Sequence, residues 1–162
     1  MDLTEDSSVK QQAIIKQLRI LFRAVQAHSR SVETTCGLSS AQLWMLYEVS
    51  VSHGIKVSEL ASILSIHRST SSNMLDKLET KNLIFRDRSK SDQRSVHIYI
   101  TEQGRELLSQ APSPHQGQLS NSLLKLTCEE LTNLETSLQI FIDALNFEDV
   151  KASTIPIPEN LQ

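Results

Sequence analysis

The chain has 162 residues, of which 39% are hydrophobic and 22% charged, with a formal net charge of −3, as is ordinary for a soluble protein. This length suits either one domain with a hydrophobic core or a small domain with an oligomerisation arm. It contains four glycines and four prolines, which favours a mostly helical fold, and it has neither a run of 18 apolar residues nor a signal sequence, so we expect a cytoplasmic protein. Its two cysteines, Cys36 and Cys128, form no CxxC pair, which argues against a disulfide framework and a cysteine zinc site.

A long amphipathic helix is predicted near the start of the chain. Apolar residues recur at helical spacing from Ser8, which has the spacing of a capping box, to about residue 34, and Gly37 ends the pattern. Such a helix would be about 40 Å long, which is more than a small domain can cover along its whole length. We therefore expect part of this helix to meet a partner through Ile14, Leu18 and Leu21.

The middle of the chain carries a close succession of helix signals. A second helix begins after Ser39 in a capping box and stops at Gly54, whose lack of a side chain suits a left-handed helix end. Residues 55–57 could form a short strand. A third helix, capped by Ser58, precedes a fourth that begins near Arg68. Two short helices joined by a tight turn predict a helix-turn-helix.

The predicted fourth helix has two chemically different faces. Ser71, Met74, Leu75 and Leu78 fall on one side, as in a helix packed on a core. The other side carries short hydroxyl and amide side chains, which can approach base edges and phosphates without steric hindrance. Capping explains one serine or threonine at a helix start but not four in succession, so we prefer a DNA-reading face to a simple helix start. The residues assigned to DNA on this helix are Arg68, Ser69, Thr70, Ser72, Asn73 and Lys77.

From residue 84 the helical spacing changes to alternation, which predicts a β-hairpin with a charged tip. Val96, Ile98 and Ile100 form one face of its second strand. Residues 56–94 contain eight basic and five acidic residues, so this part is locally basic although the protein is weakly acidic. The tip either reaches phosphates or a minor groove, or is a solvated turn without a partner. The residues assigned to DNA here are Arg88, Lys90 and Arg94, with Asp92 orienting Arg94 by a charge-assisted hydrogen bond.

Two helices are predicted after the hairpin. Thr101 caps the first, and Ala-Pro-Ser-Pro at 111–114 breaks it, either as a pocket rim, as a hinge or as a plain connector. Thr127 starts the second in a capping box. The apolar residues of this helix have the spacing of a helix seam, and we expect them to pack on the first helix and on a second subunit. They are Leu131, Leu134, Leu138, Phe141 and Leu145. Residues 150–162 are predicted to be an extended or disordered tail.

These features together resemble the MarR family of bacterial transcriptional regulators, over about residues 8–147. The resemblance is carried by the run Arg68–Leu78, its exit at Asn82, the wing signature Asp92-x-Arg94 and the following Glu102-x-Gly104-Arg105. It implies a mainly α fold with a small β-wing, in which a winged helix-turn-helix lobe (38–101) joins helical dimerisation regions (1–37 and 102–149). It also implies a homodimer that binds double-stranded DNA at a pseudo-palindromic operator, needs no cofactor, and is released by a small phenolic or lipophilic ligand.

The resemblance places a ligand pocket near the junction of the first two helices, where His28, Cys36, Trp44 and Tyr47 fall. Trp44 and Tyr47 could instead be core residues. Cys36 is better read as a buried inert thiol, because the peroxide-sensing branch of the family carries its cysteine near the start of the first helix, where this chain has none. Cys128 is read in the same way.

Two other functions remain open at this point: a winged helix that contacts only proteins, and a redox regulator that acts through Cys36. An enzyme is not expected. The five histidines are scattered, and neither metal-ligand spacing, nor a glycine-rich phosphate loop, nor a nucleophile elbow occurs in the sequence.

Overall fold

The structure is a computed structural model that describes residues 3–88, 96–147, 149 and 152–157, apart from the side chains of residues 3–5 and 88. The predicted class, mainly α with a small β-wing, is confirmed. The elements in chain order are α1 (Leu3–Cys36), α2 (Ser40–Val51), β1 (Ile55–Lys56), α3 (Val57–Ile63), α4 (Arg68–Thr80), β2 (Ile84–Arg88), β3 (Val96–Ile100), α5 (Glu102–Gln110), α6 (Gln118–Leu123) and α7 (Cys128–Leu145).

Several helix starts are set by the predicted caps. The Ser39 hydroxyl accepts a hydrogen bond from the Gln42 N–H at 3.1 Å, and the Gln42 side chain accepts one from the Ser39 N–H at 3.0 Å. Thr127 forms the same reciprocal box at the start of α7, and the Thr101 hydroxyl accepts from the Gly104 N–H at 3.0 Å. These bonds satisfy amide groups that have no partner inside the helix, so the sequence alone defines where these helices begin.

Two helix starts differ from the prediction. Helix α3 begins at Val57 rather than after Ser58, because the Glu59 carboxylate accepts a hydrogen bond from the Lys56 N–H at 2.9 Å and so caps the helix two residues earlier. Helix α1 begins at Leu3 rather than near Ser8. Residues 3–8 contain neither glycine nor proline, so nothing in this stretch stops the helix from extending toward the N-terminus.

A three-stranded antiparallel sheet forms the base of the wing, in the order β1–β3–β2. Ile55 pairs with Ile98, which confirms the short accessory strand, and Ile84 pairs with Ile100. Asn82 joins α4 to β2 in a left-handed conformation with φ of 56°, one that asparagine tolerates better than most residues. The hairpin therefore follows α4 through a tight turn.

The hydrophobic core lies in the winged lobe, between α2, α3, α4 and the inner face of the sheet. Its fully buried side chains include Leu43, Leu46, Leu60, Leu75, Leu78, Leu83, Ile84 and Ile98. Gly104 of α5 packs so closely on this lobe that a Cβ atom there would overlap the Leu83 carbonyl oxygen. This contact explains why glycine stands at that point after the hairpin. Among the described residues, no helix has the length and apolar character needed to cross a membrane.

Candidate nucleic-acid interface and the adjoining cavity

Helix α4 is held on the core by the face that its apolar spacing predicted. Ser71, Met74, Leu75 and Leu78 are all buried. The Ser71 hydroxyl is completely buried and donates to the Val57 carbonyl oxygen at 3.5 Å, which links α4 to the start of α3. The small serine lets the two helices approach closely, so the opposite face of α4 is fixed in its orientation.

The outward face of α4 presents the residues assigned to DNA. Arg68, Ser69, Asn73 and Lys77 are exposed, whereas Thr70 and Ser72 are half-buried at the edge of the face. The structure therefore brings all six helix residues together on one accessible side of a single element. An arrangement of short polar groups flanked by two cations can contact base edges and phosphates at the same time.

Arg86 of β2 connects the wing to α4, and the sequence analysis assigned no role to this arginine. Its guanidinium forms ion pairs with Asp76 at 2.7 Å and Glu79 at 2.9 Å, and it donates to the Ser72 carbonyl oxygen at 3.4 Å. The Arg86 N–H also donates to the Glu79 carboxylate at 3.3 Å. The two acidic residues lie on α4 and the arginine on a strand, so no local spacing reveals the contact. The sequence offers one signal for this contact: alternate residues of a strand share a face, so Arg86 lies on the same side of β2 as the buried Ile84.

The wing tip contains the other predicted DNA contacts. Arg88 ends β2, where it is paired with Val96 of β3. Lys90, Asp92 and Arg94 lie outside the described residues, so their roles, including the orientation of Arg94 by Asp92, stay predictions.

A long apolar surface lies outside the winged lobe, on α1 and α7. Leu131, Leu134, Leu138, Phe141 and Leu145 are 38–58% exposed, and on α1 Ile14 and Leu21 are 48% and 44% exposed while Leu18 is half-buried. Their neighbours Ile15, Phe22, Ile140 and Ile142 are also exposed. So many exposed apolar side chains on two helices are typical of surfaces that contact a partner. Every residue of α7 is exposed, so the predicted packing of α7 on the first helix is not formed within this chain.

A cavity of about 270 Å³ lies between the helical region and the winged lobe. It is lined by His28 and Ser29 of α1, Ser40 and Trp44 of α2, and the α3–α4 turn, together with residues 116–120 at the start of α6 and part of the segment 152–157. The Ser40 and Ser29 hydroxyl groups are hydrogen-bonded at 3.1 Å. The volume is near the lower end of the range for small-molecule sites.

Two of the four predicted pocket residues line this cavity. His28 is 8% exposed, and its buried Nε2 has no hydrogen-bond partner within the described part of the chain. Burial lowers the pKa of His28 below its ordinary value, and His115 nearby lowers it further, so the imidazole is held neutral. Trp44 donates its indole N–H to the Glu48 carboxylate at 2.9 Å and lines the cavity. The unpartnered Nε2 of His28 can orient one polar group of a small molecule.

The other two predicted pocket residues lie elsewhere. Tyr47 packs its ring against His115 at 5.3 Å between ring centres. Cys36 packs against the core but is half-buried rather than fully buried, and the prediction of a buried thiol is wrong for Cys128, which is exposed at the start of α7. Burial raises the pKa of the Cys36 thiol, which disfavours the reactive thiolate. Among the described residues, no group of three histidine, cysteine, aspartate or glutamate side chains could hold a metal ion.

The comparisons with known proteins agree with this architecture. Residues 38–96 match the model of the MarR family. The transcriptional repressor MdtR of Bacillus subtilis is 29% identical over 114 residues, 70% of this chain and 74% of its own. The solved structure of YusO from Bacillus subtilis is 26% identical, covers 89% of this chain and 99% of its own, and has a TM-score of 0.53. FabT of Streptococcus pneumoniae, solved in complex with DNA, has a TM-score of 0.54 at 21% identity, covering 83% of this chain and 96% of its own, and shares the fold.

Proposed function

This chain belongs to the MarR family, and from that premise we propose that it is a homodimeric transcriptional repressor that leaves a pseudo-palindromic operator when a small ligand binds. The observation that carries the DNA-binding part is the exposed face of α4, where Ser69, Asn73 and Lys77 stand accessible on a helix whose other face is buried. Relatives support it: MdtR is described as a repressor, and FabT has been solved with DNA.

We assign direct reading of bases to the short side chains of α4 and phosphate contacts to the cations. Ser69, Thr70, Ser72 and Asn73 can approach the major groove, while Arg68 and Lys77 flank them. On the wing, Arg88, Lys90 and Arg94, with Asp92 beside them in sequence, would contact the backbone or an adjacent minor groove. Phosphate contacts fix the register of the protein on the duplex, and base contacts supply the sequence preference.

The exposed apolar surface of α1 and α7 supports the homodimer. In a dimer with twofold symmetry the same surface of each subunit forms the interface, so a second copy of this chain can cover the apolar side chains of the first. The twofold axis would present two copies of α4 to two half-sites about one helical turn apart. Leu138→Asp should dissociate the dimer, because it introduces a charge into the seam, whereas Ser137→Asp places the same charge beside the seam. Sedimentation of both variants measures the difference; a dimeric Leu138→Asp protein would contradict the assigned interface.

The ligand part rests on the cavity that contains His28 and Trp44. A small phenolic or otherwise lipophilic molecule fits its size and the unpartnered Nε2 of His28. Such a molecule can release DNA only by binding the DNA-incompetent form more tightly than the DNA-competent one. The proposed function involves neither catalysis nor a membrane, and it places the protein in the cytoplasm, where operator DNA is found.

Selection of bound duplexes from genomic or random DNA, followed by affinity measurement over a range of salt concentrations, tests the DNA-binding proposal. We expect a pseudo-palindromic site and a steep fall of log affinity with log salt. Arg94→Ala should weaken binding to all sequences and reduce the salt slope by roughly 1, whereas Arg105→Ala, which removes the same charge from α5, should leave both unchanged. Absent or salt-insensitive duplex binding would favour a module that contacts only proteins.

A further inference from the structure

Residues 152–157, called the strap below, cross from the cavity to the helix-turn-helix. The strap begins with one turn of 3-10 helix, Ala152–Thr154, in which the Ala152 N–H donates to the Asp149 carbonyl oxygen at 3.0 Å. Ser153, Ile155, Pro156 and Ile157 then form one wall of the cavity that His28 and Trp44 also line. The strap is therefore part of the cavity that we assigned to the ligand.

The strap also reaches the start of the recognition helix. The backbone N–H of His67, the residue immediately before α4, donates to the Thr154 carbonyl oxygen at 3.4 Å. Ser153 and Thr154 share a shallow depression with Ser62, Ser65 and Arg68. Backbone N–H groups at the start of a helix are the groups that bind phosphate, because they have no partner within the helix. The strap thus occupies a donor, and the surface beside Arg68, that a DNA backbone would otherwise contact.

We propose that the strap is an internal antagonist of DNA binding, which must leave the start of α4 before the recognition helix can dock on duplex DNA. This inference rests on the proposed function. The His67 N–H cannot donate fully to Thr154 and to a phosphate at once, so the docked strap and bound DNA compete. The apparent affinity for DNA is then the intrinsic affinity reduced by the fraction of molecules whose strap is undocked.

A consequence follows for the ligand. Ile155 and Ile157 are 53% and 59% exposed at the cavity wall. A molecule that fills the cavity would bury more of their apolar surface, and it would therefore bind the docked form more tightly than the undocked form. The strap supplies a physical route from the cavity to the recognition helix within one subunit, besides any change in the spacing of the two helices of a dimer.

Trp44 reports on the strap directly, because it is the single tryptophan of the chain and lies at the cavity. In the full-length variant Ile155→Ser/Ile157→Ser, which changes no charge, we expect the Trp44 emission to shift to longer wavelength and DNA to bind about three- to tenfold more tightly. Duplex DNA should produce the same emission shift in the unmodified protein and little further shift in the variant. Val51→Ser, which removes an aliphatic side chain that is 59% exposed elsewhere, serves as the control.

The hydrogen bond from His67 has its own matched pair of variants. His67 has φ of −63°, which proline adopts without strain, so His67→Pro removes the N–H and His67→Ala retains it. We expect amide hydrogen exchange in 152–157 to be faster in His67→Pro than in His67→Ala. Equal exchange in these two variants would overturn the link between the strap and α4.

The outcomes separate the two proposals. If the unmodified protein and the double isoleucine variant bind duplex DNA with equal affinity, the antagonism is refuted and the DNA-binding function stands. If neither binds duplex DNA even at low salt, the proposed function fails, and the antagonism fails with it.

Discussion

Arg86→Ala should lower the free energy of unfolding by about 2 kcal/mol, because it removes both the ion pairs and the packing that join the wing to α4. The Arg86 side chain is 26% exposed, whereas those of Asp76 and Glu79 are 60% and 39% exposed. Solvent therefore screens both pairs, and each is worth only about 0.5 kcal/mol. Burial of most of the arginine stem and the hydrogen bond to the Ser72 carbonyl oxygen contribute the remaining amount, about 1 kcal/mol.

Chemical denaturation at a fixed protein concentration measures this loss, since dimerisation would make the stability depend on concentration. The melting temperature should fall by roughly 4–8 °C, as expected for about 2 kcal/mol in a chain of this size. Arg105→Ala is the matched control. It removes an arginine that is 54% exposed and that forms an ion pair with the exposed Glu102 at 3.1 Å, so it should cost at most about 0.5 kcal/mol.

Arg86→Ala should also weaken DNA binding, because the wing would no longer be held in a fixed position relative to the outward face of α4. Arg86→Lys retains a charge but loses the forked geometry that reaches both carboxylates, so we expect an intermediate effect. If Arg86→Ala and Arg105→Ala proved equally stable and equally competent in DNA binding, the structural role assigned to Arg86 would be wrong.

Two further predictions concern the core and the cavity. Gly104→Ala should destabilise the fold by about 2 kcal/mol, because the added Cβ meets the Leu83 carbonyl oxygen, a backbone atom that cannot move independently. Thermal unfolding measures this loss, with Gly117→Ala as the comparison. At Gly117 the added Cβ meets nothing within 4 Å but the residue has a positive φ, so the comparison separates steric overlap from backbone strain. Stability should decline as the pH falls below about 6.5, because the lowered pKa of His28 means that the unfolded chain takes up a proton there more readily than the folded chain. His28→Gln should flatten this decline in pH-dependent denaturation, and an unchanged slope would show that His28 is not its source.

Short-range sequence patterns were sufficient to predict most of the helices and strands and the buried face of α4. The burial of Met74, Leu75 and Leu78 follows from helical spacing alone, because residues three and four apart share a side of the helix. The caps at Ser39, Thr101 and Thr127 act within four residues of each helix start, so they too could be read directly from the chain. The start of α3 was misplaced because the cap there is the Glu59 carboxylate acting on Lys56 rather than a serine hydroxyl.

Contacts between distant segments were decided only by the tertiary structure. Arg86 meets Asp76 and Glu79 because the turn at Asn82 folds β2 back along α4, and the path of that turn is not encoded in any spacing of charges. The cavity forms because residues 116–120 and the strap both pack beside α1 and α2. The strap also brings Thr154 to His67, although the two residues are far apart in the sequence. Helical periods and caps are local and repeat, whereas such contacts depend on how several elements pack together. The sequence by itself determined which face of α4 is buried and which lies outward, and the packing decided what holds the outward face in position and what lies beside it.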